Sequence, residues 1–382
     1  MMNFTYSPGP TNTSNNVMLA RAKNFTNPDL DPDFFEQYKS ICENLQKIFK
    51  TKNDIIILSG EGIIGLEACC ACLTEKNDNV LIISNGVFGK GFKDLVELYD
   101  GNVTLFESPN NAPFSIEDFK TFLQSNNNFK YATLVHCETP SSMLNPIHEI
   151  CTLLKSYNIL TVVDMVASLG GSPVNVDHSK IDIALCASQK CFSTPPGLTF
   201  LSISKDAINA IENRKSKIPT YYMNFLNYLS YYEKKWFPYT MPISDLNGLE
   251  TSINNILNEG LENVLMRHKK ISTSLLKSLK ENNIQSFLPE SCSSETVSTI
   301  LLEKNIKTSD ILTYVKEKYN ILLSGSFDFL KDKVIRIGHM GENAKYEKII
   351  PVLSALESAF SYFYKREINL VKSFDKYYNE TK

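Results

Sequence analysis

The sequence lacks several features that would assign it to a class at once. No apolar run approaches the roughly 18 residues a membrane-spanning helix requires, so no span is expected. Positive charge is not in excess. The formal net charge is −3, and no concentrated basic stripe overrides it, which argues against a nucleic-acid surface. The N-terminus shows no basic segment followed by an apolar one, so secretion is not expected. Glu380-Thr381-Lys382 does not match the peroxisomal tripeptide. Together these absences point to a cytoplasmic protein that binds neither nucleic acid nor membrane.

Separated Cys/His pairs of the kind that hold zinc are also missing, although there are nine cysteines. Cys69, Cys70 and Cys72 lie within the apolar stretch 63–73, which reads as a buried helix. Free cysteine packs there as a small hydrophobe. The odd count and the lack of a secretory signal fit reduced thiols, so no metal is expected. No internal repeat is present, and Ser125-Asn126-Asn127-Asn128 reads as a turn.

What the sequence does have is regular alternation. Its 382 residues can bury a large core and are expected to form two domains. Phe34, Phe35, Tyr38, Ile41, Cys42, Leu45, Ile48 and Phe49 repeat at helical spacing, with Asp31 as N-cap and Pro32 at the first helical position. Strands are expected at 55–58, 80–83, 103–106, 132–135, 159–163 and 183–187, with helices between them, one opening at Ser115 with Asp118 at capping-box spacing. Such alternation implies a mainly parallel sheet covered on both faces. Beyond about residue 245 the pattern changes to two long helices (245–257 and 261–280), strands at 296–302 and 334–337, and a last helix over 344–364. The expected organisation is an N-terminal segment (1–20), a large α/β domain (21–245) and a smaller α/β C-terminal domain (246–382).

The chemistry centres on Lys190. One buried strand ends in Asp164, and the next leads into Ser188-Gln189-Lys190. Ligands of open α/β sheets bind at the carboxyl ends of strands. A lysine there can form an imine with an aldehyde, and a nearby carboxylate can keep a pyridine nitrogen protonated. Pyridoxal 5′-phosphate (PLP) needs that pairing. Independently, Ser59-Gly60-Glu61-Gly62 between a strand and a helix places backbone amides at a helix N-terminus, a cradle for phosphate. Glu61 is awkward in that cradle, because a carboxylate repels phosphate. Either its side chain points away and the Gly62 and Ile63 amides make the contact, or the assignment slips by one residue.

Val163-Asp164-Met165-Val166-Ala167-Ser168-Leu169-Gly170-Gly171, with Ser188-Gln189-Lys190 and Pro195-Pro196-Gly197, closely resembles the class V aminotransferases. The alanine–glyoxylate and serine–pyruvate branch is the nearest likeness. Ser7-Pro8-Gly9-Pro10-Thr11, His136-Cys137-Glu138-Thr139, Tyr239-Thr240-Met241-Pro242 and Arg336-Ile337-Gly338 extend it over nearly the whole chain. The resemblance implies the fold type I PLP-dependent transferase architecture, with a large seven-stranded-type sheet. It implies that Lys190 anchors PLP and acts as base, that Asp164 partners the ring nitrogen, and that Phe88 stacks on the ring. Thr139 would meet the ring oxygen, and Gln189, Gly62 and Ile63 the phosphate. Thr240 would reach the phosphate from the partner subunit of a homodimer with composite sites. The tyrosine often found three residues earlier is Phe237 here, so one phosphate hydrogen bond is missing. Arg336, inside an apolar run, would take the substrate carboxylate. His136 and Glu138 flank Thr139 and are not assigned a primary role.

The implied reaction moves an amino group from alanine or serine to glyoxylate or pyruvate in a ping-pong cycle. His136-Cys137-Glu138-Thr139 and Leu144-Asn145-Pro146-Ile147 also resemble the 2-aminoethylphosphonate–pyruvate transaminases, and Arg336 suits either anion. A cysteine desulfurase would need a mobile cysteine near that arginine, and none follows Cys292. A non-catalytic binding protein would have no need of Lys190, Asp164 and Arg336 together. The tail 367–382 carries no readable chemistry.

Overall fold

The computed structural model describes residues 4–23 and 26–380. A seven-stranded sheet forms its centre, in the order Asp54–Ser59, Leu198–Ile203, Ile183–Ala187, Leu160–Asp164, Tyr131–Val135, Asn79–Ser84 and Asn102–Glu107. Every pairing is parallel except those of Leu198–Ile203, which runs antiparallel to both neighbours. The central strands are buried on both faces because helices cover both faces. Pro32–Phe49, Ile147–Ser156 and Ile243–Glu259 supply one core, and Gly62–Leu73, Val87–Glu97 and Lys205–Glu212 the other.

Local signals fix where these helices begin. Asp31 accepts a hydrogen bond from the Asp33 amide at 3.0 Å, with Pro32 at the first helical position. Ser115 accepts from the Asp118 amide at 3.1 Å. Cys69, Cys70 and Cys72 are fully buried in Gly62–Leu73 as packing groups, and burial raises their thiol pKa values. Among the described residues, no helix is long and apolar enough to cross a membrane.

Leu198–Ile203 was not among the expected strands. Only residues 188–197 separate it from Ile183–Ala187, too few for the crossover that a parallel neighbour requires, so the chain reverses and pairs antiparallel. Lys190 sits in that reversal.

Past the long helix Ile243–Glu259, Val297–Leu301 pairs antiparallel with Val334–Gly338. Leu261–Glu281, Thr308–Tyr319, Tyr346–Tyr364 and Leu370–Glu380 pack around them in a core of their own. The last of these helices lies in the tail, docked through Leu370 and Phe374. The start of the chain joins the same unit. Phe4–Thr5 runs parallel to Ile321–Leu322, and Tyr6 is buried in that core, so residues 7–11 are drawn past Lys190.

Candidate active site

The carboxyl ends of the parallel strands bring the expected residues together. Glu61 lies just past Ser59, Phe88 past Ser84, Thr139 past Val135, and Lys190 past Ala187, while Asp164 ends its own strand. Glu61, Gly62, Ile63, Phe88, Thr139, Asp164 and Lys190 line one cavity of about 130 Å³. Leu66, Val135, Cys137, Val166 and Ala167 complete its walls, and none of these five had been singled out as a site residue from sequence.

Lys190 is held from the N-terminal segment. Its Nζ donates to the Pro8 carbonyl, and the Thr11 hydroxyl donates to the Lys190 carbonyl at 2.9 Å. A Cβ on Gly9 would lie only 2.5–2.7 Å from the lysine side chain, and Gly9 has φ +105°. Any side chain there would collide with Lys190 as well as strain the backbone. A glycine between two prolines was the available signal. Burial lowers the pKa of the amine, with Asp164 opposing that shift.

Asp164 is 6% exposed, and its Oδ1 accepts from the Val166 amide at 2.8 Å. Burial pushes its carboxyl up to about 6; the Val166 amide and Lys190 oppose the rise, and Glu61 adds to it. At neutral pH the group is therefore still mostly an anion.

Phe88 stands at the mouth of the cavity, with Phe327 edge-on to it at 6.1 Å. The fully buried Glu138 fixes its position by accepting from the Gly89 amide at 2.5 Å and the Phe88 amide at 3.3 Å. Burial raises the Glu138 carboxyl to about 7 against those two amides. Glu138 thus anchors the start of the helix that carries Phe88. His136 faces elsewhere, with its Nδ1 2.9 Å from the Ser168 hydroxyl.

Arg336 borders the cavity through Thr139. Its Nε donates to the Gly325 carbonyl at 2.7 Å and Nη1 to the Thr139 carbonyl at 3.2 Å. The guanidinium lies 5.0 Å from the centre of the Phe327 ring. Nη2 has no acceptor among the described residues. Burial lowers its pKa to about 10, so it remains a cation at neutral pH.

The opposite end differs from the expectation. The Glu61 side chain does not point away: it caps the helix Gly62–Leu73, accepting from the Ile63 amide at 3.2 Å. Its other oxygen accepts from Gln189 Nε2 at 2.6 Å. Thr240, expected to act from a partner subunit, lies away from this cavity in its own chain. It lines a separate one with Thr26, Asn27, Pro28 and Asp245. Phe237 is buried, stacked on Phe35 at 5.0 Å, and belongs to the core.

A half-buried lysine and a buried carboxylate converging at the carboxyl edge of this sheet define the architecture of the fold type I PLP-dependent transferases. The chain belongs to the class V aminotransferases, whose family model matches residues 4–326. It is 33% identical over 353 residues to an aminotransferase of Methanocaldococcus jannaschii, covering 92% of this chain and 91% of that one. The solved alanine–glyoxylate aminotransferase of Nostoc superposes with a TM-score of 0.91 at 28% identity, over 94% of this chain and 96% of the other. The pyridoxamine–pyruvate aminotransferase of Mesorhizobium loti superposes with a TM-score of 0.92 at 26% identity, over 98% and 95%. The protein is thus an enzyme of a transaminase family, and PLP is the cofactor of that family and its solved neighbours.

The cavity suits the ring of that cofactor. Asp164 and Lys190 supply its polar partners, and Phe88, Val166 and Ala167 are apolar walls. At the phosphate end, the Ile63 amide and the Gln189 amide nitrogen are already spent on Glu61.

Proposed function

We propose that this enzyme moves an amino group from a small amino acid, alanine or serine, to a small 2-oxo acid, glyoxylate or pyruvate, in a ping-pong cycle. The observation that carries the reading is the convergence of Lys190 and Asp164 in one cavity bordered by Arg336, whose Nη2 is unspent among the described residues. A relative named for alanine and glyoxylate supports the choice of substrates.

When bound, the pyridoxal ring supplies the electron sink. The chain supplies the rest. Burial leaves the Lys190 amine readier to give up its proton, so as the free amine it takes the proton from the donor carbon and returns it to the acceptor side. Asp164, ionised above about pH 6, holds a proton on the ring nitrogen. Arg336 orients the substrate by its carboxylate, and Phe327 steadies the guanidinium plane. Phe88 covers one side and excludes water.

Thr240 serves the partner subunit's site in this reading. Its separate cavity supports that role, as do Ile63, 56% exposed, and Phe88, 40% exposed, beside the active-site cavity. Nine unpaired, buried cysteines favour a reducing compartment, the cytoplasm.

Addition of L-alanine, L-serine or 2-aminoethylphosphonate in turn to the cofactor-loaded protein tests the reading. Loss of the absorbance band with L-alanine or L-serine, and release of the matching 2-oxo acid, is expected. Response to 2-aminoethylphosphonate alone would overturn the choice of donor. A second reading, in which pyridoxamine is itself the amino donor and pyruvate the acceptor, draws on the name of the Mesorhizobium relative. One observation favours it: Glu61 occupies two of the three donors expected to meet a phosphate, the Ile63 amide and Gln189 Nε2.

A further inference from the structure

The helix Gly62–Leu73 starts with its N-terminal charge already answered. A helix N-terminus carries about half a positive charge, and Glu61 sets a full carboxylate against it through the Ile63 amide. Gln189, buried beside it, gives its amide nitrogen to the same carboxylate and leaves its Oε1 with no partner among the described residues. Glu61 therefore meets the cavity as an acceptor, and Gln189 holds it there. A phosphate monoester brings mostly negative charge and further acceptors. A neutral hydroxymethyl group brings an O–H donor.

The backbone has little room to yield. Gly60, at φ +147°, donates to the Gly197 carbonyl at 2.8 Å. A Cβ on Gly62 would come within 3.2 Å of Val166 and 3.4 Å of Ala187. The start of the helix is thus pressed against the sheet and cannot easily retreat to admit a second anion beside Glu61.

We propose that Glu61 and Gln189 select a pyridoxal ring that carries hydroxymethyl in place of phosphate, so that the ring enters and leaves as a reactant. Glu61 is then the specificity-determining residue. The inference rests on the proposed roles of Lys190 and Asp164 as the ring's partners, and it deepens the second reading above. Overall, pyridoxamine and pyruvate give pyridoxal and alanine. The aminomethyl C–N bond breaks and a C–N bond forms at the pyruvate α-carbon. The proton lost by the aminomethyl carbon passes through the Lys190 amine to that α-carbon, and the electron pair follows through the ring. One water is released and one consumed, with no outside oxidant.

The test compares pyridoxal with PLP in binding to purified wild-type protein, by calorimetry and by absorbance. It also compares pyridoxamine with its 5′-phosphate as donor to pyruvate, reading alanine. The phosphate-free ring is expected to win by at least about tenfold in both. Glu61→Ser, which removes the carboxylate, should shift the preference toward the phosphate, and the near-isosteric Glu61→Gln should shift it partway. Wild-type protein that binds PLP more tightly and prefers the phosphorylated donor overturns the selection by Glu61. If that protein still converts alanine, the aminotransferase reading survives. If neither ring gives a band that depends on Lys190, that reading has failed as well, and the selection falls with it.

Discussion

The two ends of the cavity treat negative charge in opposite ways. At the Arg336 end, a buried guanidinium spends two donors on the Gly325 and Thr139 carbonyls and keeps Nη2 without an acceptor among the described residues. At the Glu61 end, a helix N-terminus and an amide side chain, both suited to an anion, are already joined to a carboxylate of the chain itself. In the proposed reading an anion from solution is drawn to Arg336 and refused at Glu61. Donor groups alone do not define an anion site; what matters is whether the chain has left them unspent.

The contrast can be tested from the middle outward. Lys190 serves whatever either end admits, so Lys190→Ala should lower turnover by at least about 10⁴-fold with every substrate. Single-turnover kinetics would check this, and a variant that kept normal rates would remove the lysine from the chemistry. Asp164→Asn should leave ring binding largely intact and slow proton transfer by roughly 10²–10³-fold, seen as a fall in kcat with little change in ring affinity. Arg336→Lys replaces the two-pronged donor with a point charge. It should raise KM for the 2-oxo acid by roughly 10–100-fold and leave the affinity for the ring unchanged. If ring affinity fell instead, the two ends would not be independent.

The smallest effect is on stability. Folding raises the Asp164 carboxyl from 3.8 to about 6, with burial as the first cause. Its stabilising contribution is fully present below the unfolded value and is lost as pH rises through about 6. Asp164→Asn never ionises, so without ligand it should melt roughly 2–4 °C above wild type near pH 8 and level with it below about pH 4. Thermal melts across that range check the sign. An Asn variant that melts lower at pH 8 would contradict it.

Much of this was legible in the sequence. Asp164 and Lys190 were marked by the apolar strands that carry them, because a polar group closing a buried strand has few destinations besides the edge of the sheet. Arg336 stood out for the same reason, as a cation inside an apolar run. Leu198–Ile203, an apolar run after Pro195-Pro196-Gly197, could have been found as a strand; only its antiparallel direction depends on the length of the reversal before it. The tail helix could have been found, since Leu370, Phe374 and Tyr378 recur every fourth residue. The setting of Glu61 could not. Its residue type signalled a conflict, but the rotamer that resolves it depends on Gln189, which lies far along the chain. Thr240 is a different case: the resemblance assigns it to a partner subunit's site, and in its own chain it lines a separate cavity.

The most direct test of the account is a half-reaction. Wild-type protein loaded with a pyridoxal ring, with or without phosphate, is mixed with L-alanine, and absorbance and pyruvate are followed together. The account predicts that the band is lost and that one pyruvate is released per ring, with no change in Lys190→Ala. A band that persists unchanged through saturating L-alanine and L-serine would contradict it.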